Sequence, residues 1–296
     1  MRPRLISAEL LSDARAMLGE GPVWDERSSR LLWLDIPEGV IHRLDPRTGA
    51  THATHVGQQV GAVAPCADGG LIAAVRDGFG LFAPGSDVME PIAQVEKELS
   101  LNRKNDGKCD CRGRFWAGTM AIDHAPRAGK LYCLTRANGK YRVSEALDSI
   151  TVANGLDWSL DNRLMYYIDS ATQRIDVFDF DAESGSISNR RVFAAIAAAD
   201  GLPDGMTVDA EGHVWVALFR GGIVRRYTPK GEVDMEVAVP VTLVTSCAFG
   251  GSKLEDLYIT TARHRLTPAQ AAEQATAGGV FVCRPGARGR LPFVFK

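Results

Sequence analysis

Four positions of the chain place an oxygen-bearing side chain directly before a glycine and a short apolar run. These residues are Glu20, Asp106, Asn154 and Asp204. Carboxylate and amide oxygens are the ligands of hard divalent cations such as Ca²⁺, Mg²⁺ and Mn²⁺, with Zn²⁺ and Fe²⁺ as alternatives. If the fold brings these side chains within a few Å of one another, they could hold one divalent ion.

A second explanation exists for each of these residues taken alone. Asp and Asn before glycine are common turn formers, and a turn is sufficient to explain any single copy. The recurrence in one register, with acids in three copies and an amide in another, favours a metal site over a set of unrelated turns. Carboxylates brought that close repel strongly unless a cation or protons compensate them. The fold must therefore bring these side chains together, and a cation or protons must compensate their negative charges.

The elements around these residues repeat. The clearest copy is Pro203–Gly212 followed by the apolar run His213–Leu218, and related segments recur along the chain. A repeat of about 40 to 50 residues is typical of propellers and solenoids. Each of six imperfect copies has about four short strands separated by turn residues, without helical periodicity. The sequence therefore predicts an all-β fold, a six-bladed β-propeller with a central channel that comprises residues 1–296 as one domain.

A propeller explains how distant residues could converge, because the innermost strand of every blade lines the channel. We then predict that the residues before the repeated glycine lie at one rim of the channel: Glu20, Val60, Asp106, Asn154 and Asp204. Ser246 lies near the corresponding position in the sixth copy, which is the least regular. We also expect Gly205 to let the backbone turn into its inner strand while leaving room at the rim. On that interpretation, Gly205→Val would impair metal binding more than folding.

Three segments fall outside the plain repeat. The sixth copy ends near the last residues, so its outer strand is predicted to come from Leu5–Leu11, which would close the ring. Insertions at 121–129 and 264–277 interrupt the third and sixth copies, and the second is predicted to begin a short helix at Thr267 with Pro268 in its first position. Loops that leave a repeat often carry function.

Composition excludes several classes of partner. The formal net charge is −2 and lysines and arginines are scattered, so nucleic acid is not an expected partner. Apolar runs are too short to cross a bilayer and the first residues do not resemble a secretory signal, so we expect no membrane partner and a cytoplasmic location. The six cysteines are interpreted as reduced, mostly buried thiols. The sequence does not determine the oligomeric state.

Several motifs together resemble one protein family over nearly the whole chain. The gluconolactonase / regucalcin (senescence marker protein 30) family has motifs similar to Gly19–Trp24, Asn102–Lys108, Phe115–Met120, Asn154–Leu156, Pro203–Met206 and Leu257–Ala262. This resemblance implies a six-bladed propeller with one catalytic divalent ion, and hydrolysis of a small-molecule sugar lactone to the aldonic acid. Ca²⁺ is the favoured ion.

The same resemblance assigns roles to individual residues. It places the metal ligands on Glu20, Asn154 and Asp204. It also places the substrate contacts on Arg103 and Asn105, with Asp106 beside them. We further expect Asp204 to act as general base, because it would border both the ion and a water on the carbonyl's face.

One part of the chain departs from the family pattern. Some relatives carry an acidic residue that faces the substrate after the segment corresponding to Thr119–Ala121, whereas this chain has Ile122 followed by Asp123. The departure concerns the hydroxyl pattern of the substrate and not the reaction. His124, in the same insertion, is interpreted as a surface residue.

Two other functions are compatible with the same motifs. The first is hydrolysis of aryl esters or organophosphates, since an ion that polarises C=O can also polarise P=O. The second is a non-catalytic propeller that binds calcium or another protein, because fold does not dictate function. No histidine stands in a triad spacing with a serine on a nucleophile elbow, which disfavours a serine-hydrolase mechanism.

Overall fold

The computed structural model describes residues 3–296, which form six antiparallel β-sheets arranged as blades around a central channel. The innermost strands of successive blades are neighbours all the way round, and that of the last blade contacts that of the first. The structure thus confirms the predicted six-bladed propeller.

The strands follow one another from the channel outward in each blade. Two short strands, β1 (Arg4–Ser7) and β2 (Glu9–Ser12), precede the first blade. Blade 1 contains β3 (Gly19–Asp25), β4 (Arg30–Asp35), β5 (Val40–Leu44) and β6 (Thr51–His55). Blade 2 contains β7 (Val60–Pro65), β8 (Leu71–Val75), β9 (Gly78–Phe82) and β10 (Met89–Gln94). Blade 3 contains β11 (Asn102–Cys109), β12 (Phe115–Ala121), β13 (Gly129–Ala137) and β14 (Lys140–Ile150).

The second half of the ring repeats this order. Blade 4 contains β15 (Ala153–Trp158), β16 (Leu164–Asp169), β17 (Arg174–Phe180) and β18 (Ile187–Ala195). Blade 5 contains β19 (Leu202–Val208), β20 (Val214–Phe219), β21 (Ile223–Tyr227) and β22 (Val233–Ala238). Blade 6 contains β23 (Val244–Gly250), β24 (Asp256–Thr261) and β25 (Val280–Cys283). Two 3₁₀ turns lie at Ser170–Thr172 and Ala198–Asp200.

The N-terminal segment closes the ring as predicted. Strand β2 pairs antiparallel with β25 and forms the outer strand of blade 6. The sequence did not predict that β1 pairs parallel with β22 and adds a fifth strand to blade 5. Because β1 and β2 are separated by Ala8 alone, the segment bridges two adjacent blades.

The predicted helix in the second insertion is confirmed. Helix α1 (Pro268–Glu273) begins after Thr267, whose side chain accepts a hydrogen bond from the backbone of Gln270, with Pro268 at the first position. Nowhere in residues 3–296 is a helix long and apolar enough to span a bilayer. All six cysteines are unpaired, and five of them are buried, in agreement with the sequence analysis.

The repeated Asp-x-x-Gly turns anchor the core between blades. In blade 5, Asp209 accepts hydrogen bonds from the backbone N–H groups of Glu211 and His213 and from the indole of the fully buried Trp215, all at 2.9 Å. In blade 3, Asp110 accepts from the indole of Trp116 at 2.8 Å in the same way. In blades 3 and 5 the turn is therefore tied to the large aromatic side chain on the next strand.

Every inner strand carries a β-bulge near the rim. The register of pairing with the second strand shifts between Glu20 and Val23, Val60 and Ala62, Lys104 and Gly107, Ala153 and Leu156, Pro203 and Met206, and Val244 and Ser246. Bulges interrupt the ladder and redirect side chains, and they are frequent beside active sites. Several rim residues lie inside or at the edge of these interruptions.

The glycines of the rim allow neighbouring inner strands to touch. A Cβ added to Gly155 would lie 2.7 Å from the backbone oxygen of Asp204 and from the backbone nitrogen of Met206. At Gly205 an added Cβ would overlap the side chain of Ser246 and lie 2.9 Å from its Cα. The backbone of Gly205 does not have the positive φ of a glycine-specific turn. The backbone of Gly205 thus does not form the expected turn, whereas its missing side chain does leave room, namely for the contact between blades 5 and 6.

The last residues close the channel at the end opposite the rim. The carbonyl of Arg288 accepts a hydrogen bond from Ala210 in the blade 5 turn at 2.8 Å, and the backbone N–H of Phe295 donates to Pro65 in blade 2 at 2.9 Å. Between these anchors, Arg290–Phe293 line the narrow lower part of the channel. We call residues 284–296 the C-terminal strap.

The contact at Gly205 predicts a loss of stability. Gly205→Val should lower the free energy of unfolding by about 3 kcal/mol, the upper part of the range for overpacking, because the backbone of the neighbouring strand cannot move away easily. Gly49→Ala is the control, since no atom lies within 4 Å of its added Cβ and only the positive φ costs about 1–2 kcal/mol. Thermal and urea denaturation measure both; equal losses would contradict the packing argument.

Candidate functional site

Five of the six predicted site residues line one cavity at the rim of the channel. The cavity has a volume of about 280 Å³, and its predicted members are Glu20, Arg103, Asn105, Asn154 and Asp204. Asp106 lies deeper and lines the narrower space of about 60 Å³ that continues down the channel. The cavity thus brings together Glu20, Asn154 and Asp204 from blades 1, 4 and 5, whose convergence the repeat predicted, with Arg103 and Asn105 from blade 3, which the family resemblance implied.

The two carboxylates of the rim cavity are deeply buried. Glu20 is 2% exposed and Asp204 is 8% exposed. Glu20 accepts a hydrogen bond from the backbone N–H of Gly21 at 2.8 Å, and Asp106 accepts from Gly107 at 2.6 Å. At Glu20 and Asp106, the glycine that follows the acid therefore also fixes the direction of its side chain.

Asn154 shows most directly what the cavity could hold. Its amide nitrogen donates to the hydroxyl of Ser170 at 2.8 Å, and that hydroxyl donates to the backbone oxygen of Pro203 at 2.6 Å. The amide oxygen of Asn154 is buried and accepts no hydrogen bond from any residue of 3–296. A buried carbonyl oxygen without a partner is costly unless a ligand satisfies it. A divalent cation beside Glu20 and Asp204 would do so.

The electrostatics of the cavity also call for a cation. Burial, followed by the proximity of Asp204 and Asp106, raises the pKa of Glu20 well above its usual value. Burial and then the charge of Asp106 raise the pKa of Asp204 in the same direction. Burial raises the pKa of Asp106 to about 6. Three neighbouring carboxylates are therefore unfavourable as anions in the bare protein, and a bound divalent ion would reverse this.

Arg103 and Asn105 form a fixed pair on the cavity wall. One guanidinium nitrogen of Arg103 donates to the side-chain oxygen of Asn105 at 2.6 Å and to the carbonyl of Lys104 at 3.0 Å. The amide nitrogen of Asn105 donates to the backbone oxygen of Ala153 at 2.6 Å. The remaining donors of Arg103 are available to a ligand.

A buried ion pair below the rim was not anticipated from the sequence. The ammonium of Lys108 contacts the carboxylate of Asp157 and the carbonyl of Met206, both at 2.9 Å. Arg290 of the C-terminal strap contacts the other oxygen of Asp157. Lys108 also opposes the effect of burial on the pKa of Asp106. The alternation of channel-facing residues on β11 was the available signal, since Lys108 follows Asp106 by two positions.

Ser170 was also missed, although it fixes the amide of Asn154. It follows Asp169, whose carboxylate accepts hydrogen bonds from the backbone of Thr151 at 3.0 Å and Val152 at 2.9 Å, just before the inner strand. In blade 1, the carboxylate of Asp35 accepts hydrogen bonds from the backbone N–H groups of Met17 and Leu18 in the same way. The sequence shows a matching Asp at the end of the second strand in both copies, but it does not indicate what the next side chain contacts.

The two insertions meet at the mouth of the cavity. His124, His264 and Arg265 line it, and the side chains of His124 and Arg265 contact each other. His124 is half-buried and lies at this mouth rather than on the outer surface of the ring. Ile122 is 44% exposed, and Asp123 is exposed and accepts the backbone N–H of Ala125 at 3.0 Å. Neither residue that follows Ala121 lines the cavity.

A second acidic cluster lies away from the channel mouth. Ligand atoms of Asp209, Glu211 and His213 lie within 4.8 Å of one another. The carboxylate of Asp209 is already bound by Arg226 at 2.9 Å and by Trp215. This cluster is accounted for by its ion pair and turn, and it contains no residue of the rim cavity.

Comparison with known proteins places this geometry in a family. The sequence model described as SMP-30/Gluconolactonase/LRE-like region matches residues 18–263. The chain belongs to this family. It is 39% identical over 292 residues to a provisionally named sugar lactone lactonase, YvrE, of Bacillus subtilis, covering 98% of this chain and 99% of that protein.

Regucalcins are similar to the chain over a comparable length. Rabbit (Oryctolagus cuniculus) regucalcin is 38% identical over 297 residues, covering 98% of each chain. The crystal structure of regucalcin from Agrobacterium tumefaciens, described as a calcium-binding protein, superimposes with a TM-score of 0.95 at 28% identity, covering 100% of this chain and 99% of that one.

The orientation of Asn154 can be tested through Ser170. Ser170→Ala should weaken binding of Ca²⁺ about 10- to 100-fold, because the amide loses the partner that directs its oxygen into the cavity. Calorimetric titration with Ca²⁺ measures the affinity. Ser252→Ala, an exposed serine away from the rim cavity, is the matched control. Unchanged affinity in Ser170→Ala would show that the amide is held by other contacts.

Proposed function

We propose that this protein is a metal-dependent hydrolase that opens a sugar lactone to the corresponding aldonic acid. The observation that carries the proposal is the convergence of Glu20, Asp204 and the unpartnered amide oxygen of Asn154 in one cavity. Similarity to a sugar lactone lactonase over nearly the whole chain supports the choice of substrate class.

The three residues suit one hard divalent ion. Glu20 and Asp204 would supply carboxylate oxygens and Asn154 a neutral oxygen, so two negative charges would balance the ion. Ca²⁺ is our first choice, because the donor set is all oxygen and a structurally similar regucalcin is described as calcium-binding; Zn²⁺, Mn²⁺, Mg²⁺ and Fe²⁺ are the alternatives. When bound, the ion supplies Lewis-acid polarisation of the lactone carbonyl and stabilises the developing oxyanion.

Asp204 is proposed as the general base. Its carboxylate would accept a proton from the attacking water as the new C–O bond forms at the lactone carbonyl. When the ring C–O bond breaks, the same proton would pass to the departing ring oxygen, which becomes a hydroxyl of the product. The carboxylate of Asp204 is then regenerated and no other reactant is consumed.

The wall residues would select and orient the sugar. Arg103 presents several fixed donors and Asn105 holds it in place, so hydroxyl or ring oxygens of the substrate would bind here. Asp106 would support this contact from below, held by Gly107. Leu18, Met120, Leu202 and Phe219 form an apolar part of the lining. A cavity of this size, at the lower end for ligand sites, suits a single sugar ring.

The state of the cysteines supports a proposal for the cellular location of the reaction. All six are unpaired, and burial raises the pKa of Cys109 and Cys247 above the ordinary value. Unpaired, protonated thiols suit a reducing compartment. We therefore propose a cytoplasmic enzyme acting on a small molecule.

Replacement of Asp204 tests its two roles. Asp204→Asn should lower kcat by about 10²–10⁴-fold, the usual contribution of a general base. The melting temperature without metal should stay equal or rise, because one of three neighbouring buried carboxylates is removed. Calorimetric titration with Ca²⁺ separates loss of the base from loss of the ion. Asp123→Asn, exposed and outside the cavity, is the control; a fully active Asp204→Asn would exclude Asp204 as base.

Removal and return of metal test the reaction class. Chelation should abolish lactone hydrolysis, and one divalent ion from a panel should restore it, since Glu20 and Asp204 without a cation repel each other. The same panel is assayed against aldonolactones, an aryl ester and a phosphotriester. Preference for the ester or phosphotriester would support the alternative hydrolase. No activity with any ion, together with tight Ca²⁺ binding, would support a non-catalytic calcium-binding propeller.

A further inference from the structure

The mouth of the rim cavity is basic, although its floor is acidic. Four basic side chains line it: Arg103, His124, His264 and Arg265. Three of them come from loops that interrupt the repeat, because His124 lies in the insertion of blade 3 and His264 and Arg265 lie in that of blade 6. The contact between their side chains joins two elements that are distant along the chain.

The two arginines have no acidic partner. In residues 3–296, no carboxylate oxygen lies within 4.0 Å, the distance of an ion pair, from either guanidinium. Arg103 is bound to the neutral oxygens of Asn105 and Lys104, and Arg265 contacts the imidazole of His124. Asp123, the nearest acid on the insertion, is engaged by its own turn.

The charges of this group act on one another. Burial is the main reason that the pKa of Arg103 falls to about 10, and the proximity of Arg265 contributes in the same direction. Burial and then Arg265 and Arg103 lower the pKa of His264 to about 4, and the same causes lower that of His124. The imidazoles are thus held neutral. Glu20 and Asp204 on the floor of the cavity partly offset the charge of Arg103, whereas no carboxylate oxygen lies within ion-pair distance of Arg265 at the mouth. An anion between them would relieve their repulsion and accept charge-assisted hydrogen bonds.

Building on the proposed lactonase function, we propose that Arg265, together with Arg103, binds an anionic group of the substrate. The preferred substrate is then a lactone that carries a carboxylate or a phosphate on its carbon chain, in addition to the lactone ring. The ring carbonyl would face Glu20, Asn154 and Asp204, and the anion would face the mouth. His124 accepts a hydrogen bond from Arg265 and is a positioning residue for it.

The arrangement separates the anionic group of such a substrate from the acids of the floor. The divalent ion would balance Glu20 and Asp204, so the anion would not meet uncompensated carboxylates. A neutral aldonolactone would leave the guanidinium of Arg265 in water, where it contributes little. Arg265 therefore discriminates between charged and neutral lactones and takes no part in the bond-making steps.

Kinetics on matched lactones test this inference. The metal-loaded protein is assayed with glucono-lactone, its 6-phosphate, and glucaro-lactone, which carries a carboxylate in place of the terminal hydroxymethyl group. At least one charged lactone should have a kcat/KM about tenfold above that of the neutral lactone. In Arg265→Gln this ratio should fall about tenfold, mainly through KM, and Arg265→Lys should recover part of it. The carboxylate and phosphate arms show which anion fits.

Arg263 provides the control. It is exposed, lies two residues before Arg265 and does not line the cavity, so Arg263→Gln should keep the ratio within twofold. A ratio near one in the unmodified protein would overturn the inference, as would a ratio that Arg265→Gln leaves unchanged. In either case, hydrolysis of the neutral lactone would leave the proposed lactonase function standing.

A binding measurement covers the case in which no lactone is hydrolysed. Calorimetric titration of the Ca²⁺-loaded protein compares gluconate, with one carboxylate, and glucarate, with two. About tenfold tighter binding of glucarate that is lost in Arg265→Gln and kept in Arg263→Gln would support the anion site, even if the lactonase proposal fails. Equal binding of the two acids would refute it.

Discussion

The site depends on how closely six inner strands approach one another around the channel. Backbone meets backbone at Gly155 and at Gly205, where a single methyl group would collide with the next strand. This proximity brings together side chains from blades that are far apart in sequence. In blades 4 and 5, the bulge then releases Asn154 and Asp204 from the ladder and directs them to the cavity, whereas Glu20 lies at the edge of the bulge in blade 1. Packing and chemistry are thus set by the same few residues of each repeat.

Much of this was accessible from the sequence because it is periodic. The recurrence of an acid or amide before glycine predicted which residues share a rim, and the ring geometry made Glu20, Asn154 and Asp204 neighbours. The N-terminal outer strand followed from counting strands in the sixth copy. These predictions needed only the period and the register, and neither depends on the identity of a distant side chain.

The remaining features could not be predicted because they are contacts between non-repeating groups. Ser170 orients Asn154 through a hydroxyl that bridges blades 4 and 5. The contact between His124 and Arg265 depends on how the two insertions fold over the mouth of the cavity. Lys108 finds its partner in another blade, with Arg290 of the C-terminal strap on the opposite side of Asp157. Periodicity carries no information about such pairs. For the same reason the sequence did not show that the room left by Gly205 is taken by Ser246 of the next blade.

The C-terminal strap has a consequence for how the protein matures. It touches blades 2, 3 and 5 through backbone hydrogen bonds and delivers Arg290 to an ion pair in blade 4. Blade 6 is likewise incomplete until β2, near the N-terminus, pairs with β25, near the C-terminus. Contacts between segments so distant along the chain form late, since loop closure precedes them. Ribosome-bound chains should therefore have an open ring, in which water fills the lower part of the channel. The ion pairs of Asp157 beneath the rim then form among the final events of folding.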